Sequence, residues 1–183
     1  MLVLASKSPR RQQILRDAGI PFVVRAAAIR EERRAGEAPL DYVRRLAAEK
    51  AFVTPMRPGE IILGADTTVV LGEHVLEKPR DTADALRMLA LLSGREHEVI
   101  TGICLRAESR KIVDAVVTRV RFVPLTPQEI EAYALSGEPM DKAGGYAIQG
   151  LASKFIDRIE GDYFNVVGLP VSLVYHYWRE LSR

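Results

Sequence analysis

The chain has 183 residues, 48% of them hydrophobic and 27% charged, enough apolar material to bury a core within a single domain spanning residues 1–183. A net charge of +2, from 26 basic and 24 acidic residues, and an aromatic content of 7% lack the broad basic face with exposed aromatics of a nucleic-acid-binding module. One cysteine, Cys104, excludes an internal disulfide framework and a multi-cysteine metal site, and no apolar run is long enough to span a bilayer.

Leu2 to Ala5 reads as a short buried strand, too short for the apolar segment of a secretion signal, so a cytoplasmic setting is expected. Ser8-Pro9 starts a helix, with Ser at the N-cap and Pro at the first helical position, and Gly19 and Pro21 stop it. Phe22 to Val24 is a second strand and Arg30 to Pro39 a polar loop. A helix then carries Leu40, Val43, Leu46, Ala47 and Ala51 at helical spacing. Ile61 to Leu63 and Thr67 to Leu71 are predicted strands broken at Gly64-Ala65-Asp66, with a hairpin at Gly72-Glu73. Asp81 caps a helix ending at Gly94. Val99 to Leu105 and Ile112 to Val123 are long strands, the second alternating Val116, Thr118, Val120 and Phe122 against Val117, Arg119 and Arg121. Thr126-Pro127-Gln128-Glu129 is a capping box. Gly137 to Gly150 reads as a polar loop, Gly161 to Pro170 as a tight turn and Val171 to Leu181 as a last amphipathic helix. Helices alternating with strands and hairpins predict an α/β protein with a mixed sheet and flanking helices.

Ser6-Lys7-Ser8-Pro9-Arg10-Arg11 places two hydroxyls and three cations at a helix N-terminus, where free N–H groups already favour an anion. The dipole disfavours cations there, so two adjacent arginines favour a phosphate site over the alternative of a solvated cap. Asp66 follows an apolar strand beside Gly64, where a carboxylate can hold a divalent metal or take a proton from water, although taken alone a turn aspartate is the more common case. Glu31, Lys50 and Lys78 are each most simply solvated, and His74, His97 and His176 have no spacing that suggests a metal site or triad. Asp141 to Gly150 is a Gly-rich stretch in which the Gln149 amide suits the alternating donors and acceptors of a pyrimidine edge.

Five segments occur in order: Ser-x-Ser-Pro-Arg-Arg, Ala-Asp-Thr, Glu-Lys-Pro, Asp-Lys-Ala-Gly-x-Tyr-x-Ile-Gln-Gly and Asn-Val-Val-Gly-Leu-Pro. From Leu4 to Pro170 the chain thereby resembles the Maf-like nucleotide pyrophosphatases. That resemblance implies an inosine triphosphatase-like α/β fold with two lobes around a cleft, frequent homodimerisation, and hydrolysis between the α- and β-phosphates assisted by Mg²⁺ or Mn²⁺. It makes Asp66 the proton acceptor and Ser6, Ser8, Arg10 and Arg11 the phosphate-binding loop. Glu31, Lys50 and Lys78 become further charged residues of the site, with Asp66 and Glu31 as metal ligands. Arg11, Thr67 and Gln149 match the branch acting on dTTP and UTP, whereas the branch preferring 7-methyl-GTP has Glu in place of Gln149. Lys7 and Arg30 depart from the family pattern, standing where a small residue and an Asp are usual, and both add positive charge. The implied activity keeps excess or modified pyrimidine nucleotides out of nucleic acid. A nucleotide-binding regulator of cell division with little turnover is the alternative.

Overall fold

The computed structural model describes residues 1–26 and 28–183. Its strands are β1 (Leu2–Leu4), β2 (Phe22–Val24), β3 (Ile61–Leu71), β4 (His74–Leu76), β5 (Glu96–Arg106), β6 (Lys111–Phe122) and β7 (Ile156–Glu160). Its helices are α1 (Pro9–Asp17), α2 (Pro39–Val53), α3 (Thr82–Leu92), α4 (Pro127–Leu135), α5 (Tyr163–Val167) and α6 (Val171–Leu181). The strands form a mixed sheet in the order β2-β1-β3-β5-β6-β7, with β4 added to β3. β1 runs parallel to both β2 and β3, while the β3–β4 and β6–β7 pairs are antiparallel. This is the expected mixed α/β class.

Two compact units divide the chain. The first comprises Met1–Thr67, Thr101–Val116 and Gly168–Arg183, and the second Thr68–Ile100 and Val117–Val167. Strands β3, β5 and β6 each run from one unit into the other.

In the first unit, α2 lies directly against the sheet. Pro39 opens it, and Tyr42, Val43, Leu46, Ala47, Lys50 and Ala51 form its buried stripe at helical spacing. That stripe meets the sheet at two glycines. A Cβ built on Gly64 of β3 would lie 2.0 Å from the Ala47 carbonyl oxygen, and one on Gly102 of β5 would lie 2.4 Å from that of Val43. The helix backbone therefore rests almost on the strands, an approach only glycine permits. Gly64 explains the one long strand where two were predicted. Gly64-Ala65-Asp66 does not break β3, because in a strand buried on both faces the glycine serves helix docking and the ladder continues through Asp66. Gly64→Ala is expected to destabilise the protein by about 1–3 kcal/mol through overpacking. It should also lower turnover by displacing α2, which chemical denaturation and activity assays would reveal together.

The second unit has a continuous core: Val69, Met88, Leu89, Leu92, Val120, Phe122, Tyr133, Tyr146 and Phe155. Asp81 caps α3 by accepting from Asp84 N–H, and the predicted capping box of α4 is formed by Thr126 and Glu129. Residues predicted as a tight turn include the short helix α5. Asp162 Oδ1 accepts from the Phe164 and Asn165 amides at its start, while buried Asn165 donates to the Val99 carbonyl and Thr118 Oγ1. Among the described residues no helix is long and apolar enough to cross a membrane.

Candidate active site

Side chains alternate along a strand, so Asp66 projects from the same face of β3 as Gly64. That is the face on which α2 rests, and Lys50 lies on the buried stripe of α2 one turn beyond Ala47. The two consequently meet: Lys50 Nζ donates to Asp66 Oδ1 at 2.7 Å. Lys50 Nζ is also 2.7 Å from Glu31 Oε1. Asp66 and Lys50 are buried, while the Glu31 side chain is 43% exposed, so the triad runs from the interior to solvent. Burial pushes the Asp66 carboxyl above its ordinary range, with Lys50 and then Arg11 opposing the shift. A carboxylate so raised is a stronger base than one in water.

Around it, Ser8 caps α1 by accepting from Arg11 N–H, and Ser6 Oγ accepts from Ser8 N–H at 3.2 Å. Arg11 is buried, and burial lowers its guanidinium pKa. Four of its five N–H groups are directed at the protein: Nε to the Gly168 carbonyl (2.8 Å), one terminal nitrogen to Ser6 Oγ (3.2 Å) and the Ala65 carbonyl (2.8 Å), the other to Thr67 Oγ1 (3.0 Å). Thr67 Oγ1 also lies 2.9 Å from Thr101 Oγ1. Arg11, expected as a phosphate ligand, is thus found holding Ser6, Thr67 and the strand segment that presents Asp66. Arg10, beside it, is half-buried.

Of the ten residues expected at the site, Ser6, Ser8, Arg10, Arg11, Glu31, Lys50, Asp66 and Thr67 belong to the first unit, and Lys78 and Gln149 to the second. The last two are exposed, and their segments are tied together where Gly144 N–H donates to the Glu77 carbonyl at 3.0 Å. Gly144 and Gly145 have φ of 71° and 70°, a conformation that excludes most side chains and bends the chain over Val69 and Pro79. His97, read as structural, is buried within hydrogen-bond distance of the Tyr146 hydroxyl, 2.8 Å away. Burial pushes its pKa down to about 4.

Among the described residues no group of three or more His, Cys, Asp or Glu converges to hold a metal. Asp66 and Glu31, both within reach of one lysine nitrogen, present hard carboxylate oxygens of the kind that suits Mg²⁺ or Mn²⁺.

A mixed α/β fold that brings a buried carboxylate, a lysine and a hydroxyl-rich helix start to one place defines a hydrolase of phosphate esters or anhydrides as the class to expect. The family profile described as Maf-like protein matches residues 1–181, and the chain belongs to that family. It is 51% identical to a protein of Koribacter versatilis named dTTP/UTP pyrophosphatase, over 97% of this chain and 93% of that one. It is 53% identical to a protein of the same name from Geobacter metallireducens, over 99% and 96% of the two chains. A crystal structure of a nucleoside-triphosphatase / dITP/XTP pyrophosphatase from Mycobacterium abscessus aligns over 99% of this chain and 95% of that one, at 16% identity and a TM-score of 0.44.

Proposed function

We propose that this protein hydrolyses dTTP and UTP to the nucleoside monophosphate and pyrophosphate. The observation that carries the reading is the buried Asp66 carboxylate held by Lys50 at 2.7 Å, in a chain about half identical to curated dTTP/UTP pyrophosphatases over nearly its full length. Asp66 takes a proton from a water molecule whose oxygen bonds to the α-phosphorus. The bond from that phosphorus to the bridging oxygen breaks, and pyrophosphate leaves with the electron pair. Lys50 holds the carboxylate in orientation and, with Lys78, Arg10 and the amides at the start of α1, offsets the charge of the triphosphate. Asp66 and Glu31 would hold a divalent cation, which supplies further neutralisation of phosphate oxygens when bound.

Thr67 and Gln149 give the base its selectivity, the amide of Gln149 meeting both a carbonyl and an N–H on a uracil or thymine edge. Arg11 contributes by fixing Thr67 and Ser6. The consequence for the cell is a nucleotide pool depleted of excess or modified pyrimidine triphosphates before they reach a polymerase.

The test is pyrophosphate release by purified protein with Mg²⁺ or Mn²⁺ across dTTP, UTP, CTP, 7-methyl-GTP and ITP. Metal-dependent release from dTTP and UTP is expected. Release from 7-methyl-GTP alone would keep the chemistry and overturn the role of Gln149, while binding without release from any substrate would favour a nucleotide-binding regulator.

A further inference from the structure

Gln149 is exposed on a turn closed by Gly150 N–H donating to the Ala147 carbonyl at 3.1 Å. Ile148 of this turn is buried while Gln149 beside it is exposed, so the direction of the amide depends on how the two ends of the turn are held. One side-chain pair holds both of its ends. Ala147 N–H donates to the Tyr133 hydroxyl at 3.1 Å, and Leu151 N–H donates to Glu138 Oε2 at 3.1 Å. The Tyr133 hydroxyl in turn donates to Glu138 Oε1 at 2.7 Å, which joins the two anchors into one.

The anchors are themselves fixed. The Tyr133 ring is buried edge-on against Phe155, with centroids 5.6 Å apart. Glu138 N–H donates to Ser136 Oγ, and its carbonyl accepts from Lys142 Nζ at 2.8 Å. The carboxylate lies so near the turn that a Cβ on Gly150 would stand 2.2 Å from Glu138 Oε2. Every hydrogen bond that the Glu138 carboxylate makes in this arrangement is accepted, and burial with the neighbouring carboxylate raises the Tyr133 phenol so that it stays a donor.

We infer that Tyr133 and Glu138 are positioning residues that clamp the 147–151 turn and so set selectivity for the pyrimidine base through Gln149. The inference rests on the reading of Gln149 as the group that meets the base. Neither side chain touches the nucleotide; both act through the two amides at the ends of the turn.

Tyr133→Phe keeps the ring and removes the hydroxyl, so the Ala147 amide loses its acceptor and Glu138 loses a donor. Loss of these bonds is expected to reduce the ratio of kcat/KM for UTP over 7-methyl-GTP about tenfold. The change should arise in KM for UTP with kcat nearly unchanged, because Asp66 and Lys50 are untouched. Glu138→Gln preserves volume and accepts only one of the two donors, so it should give a smaller loss in the same direction. Amide hydrogen exchange at Ala147 and Leu151 should speed up in the first variant, and at Leu151 in the second, while thermal melting remains cooperative.

Gln149→Ala separates the clamp from the group it holds. In that background, adding Tyr133→Phe should leave the substrate ratio where Gln149→Ala alone has put it. A wild-type ratio in folded Tyr133→Phe and Glu138→Gln proteins, beside an altered one in Gln149→Ala, overturns the clamp and spares the role of Gln149. The same fold-loss from Tyr133→Phe with and without Gln149 also overturns it, since the tyrosine would then act by another route. A wild-type ratio in Gln149→Ala overturns the base-reading role itself, and the clamp with it. If Tyr133→Phe does not fold, Glu138→Gln carries the test.

Discussion

An Asp66→Asn protein is expected to fold normally yet release pyrophosphate about 10²–10⁴ times more slowly than the parent. Asparagine has the volume of aspartate, and its amide oxygen can still accept from Lys50 Nζ, 2.7 Å away in the parent. It cannot take a proton from water. Stability should change little, because two effects oppose one another. The substitution removes a charge whose burial is unfavourable, as the raised carboxyl pKa records, and it weakens an ion pair that partly offsets that burial. Lys50 keeps Glu31 as a partner at 2.7 Å, so no buried ammonium is stranded. Pyrophosphate release and thermal melting together check the claim. Turnover within tenfold of the parent in a well-folded Asp66→Asn protein would remove Asp66 from the role of base.

The site was only partly legible in the sequence, and the reasons are physical. Helix α6 begins and ends at the residues its apolar periodicity marks, and the capping box of α4 forms as read. Periodicity and capping are local properties, so a linear pattern expresses them fully. Lys50 by itself reads as solvated, yet it falls on the stripe of Val43, Leu46, Ala47 and Ala51. A lysine on a core-facing stripe needs a carboxylate partner, and that signal lies in the linear spacing alone. Gly64 and Asp66 look like a turn because Gly and Asp are common turn residues. Only the packing of α2 on β3 shows that the glycine makes room for a helix and that the aspartate faces it. Strand β7, Ile156–Glu160, has its two isoleucines three residues apart, so it lacks the two-residue alternation of a strand and is short and half-exposed at the sheet edge. The Tyr133–Glu138 pair could not be read at all: what gives it meaning is which amides face it in space.

Arg11→Met is the second substitution expected to have a large effect, and its direction separates scaffold from ligand. The guanidinium serves the Gly168 and Ala65 carbonyls, Ser6 Oγ and Thr67 Oγ1 at 2.8–3.2 Å. Methionine fills similar space and supplies no donor, so two backbone carbonyls lose their charged partner and Asp66 loses a neighbouring cation. The expected cost is about 2–6 kcal/mol, from two buried carbonyls that each lose their partner at about 1–3 kcal/mol. In a chain of this length that corresponds to a fall in Tm on the order of 10 °C. Arg11→Lys should recover only part of it, because one ammonium cannot reproduce a planar fork that reaches the β1–α1 turn, β3 and the loop before α6 at once. Chemical denaturation of both variants, compared with their KM for UTP, decides the matter. A scaffold role predicts a large loss of stability in Arg11→Met that Arg11→Lys partly restores. Unchanged stability with a KM raised in both variants would instead return Arg11 to the phosphate. The scaffold outcome would also explain why an arginine at a helix N-terminus, where the dipole disfavours a cation, is tolerated: its charge is directed at the carbonyls and hydroxyls around the strand that carries Asp66.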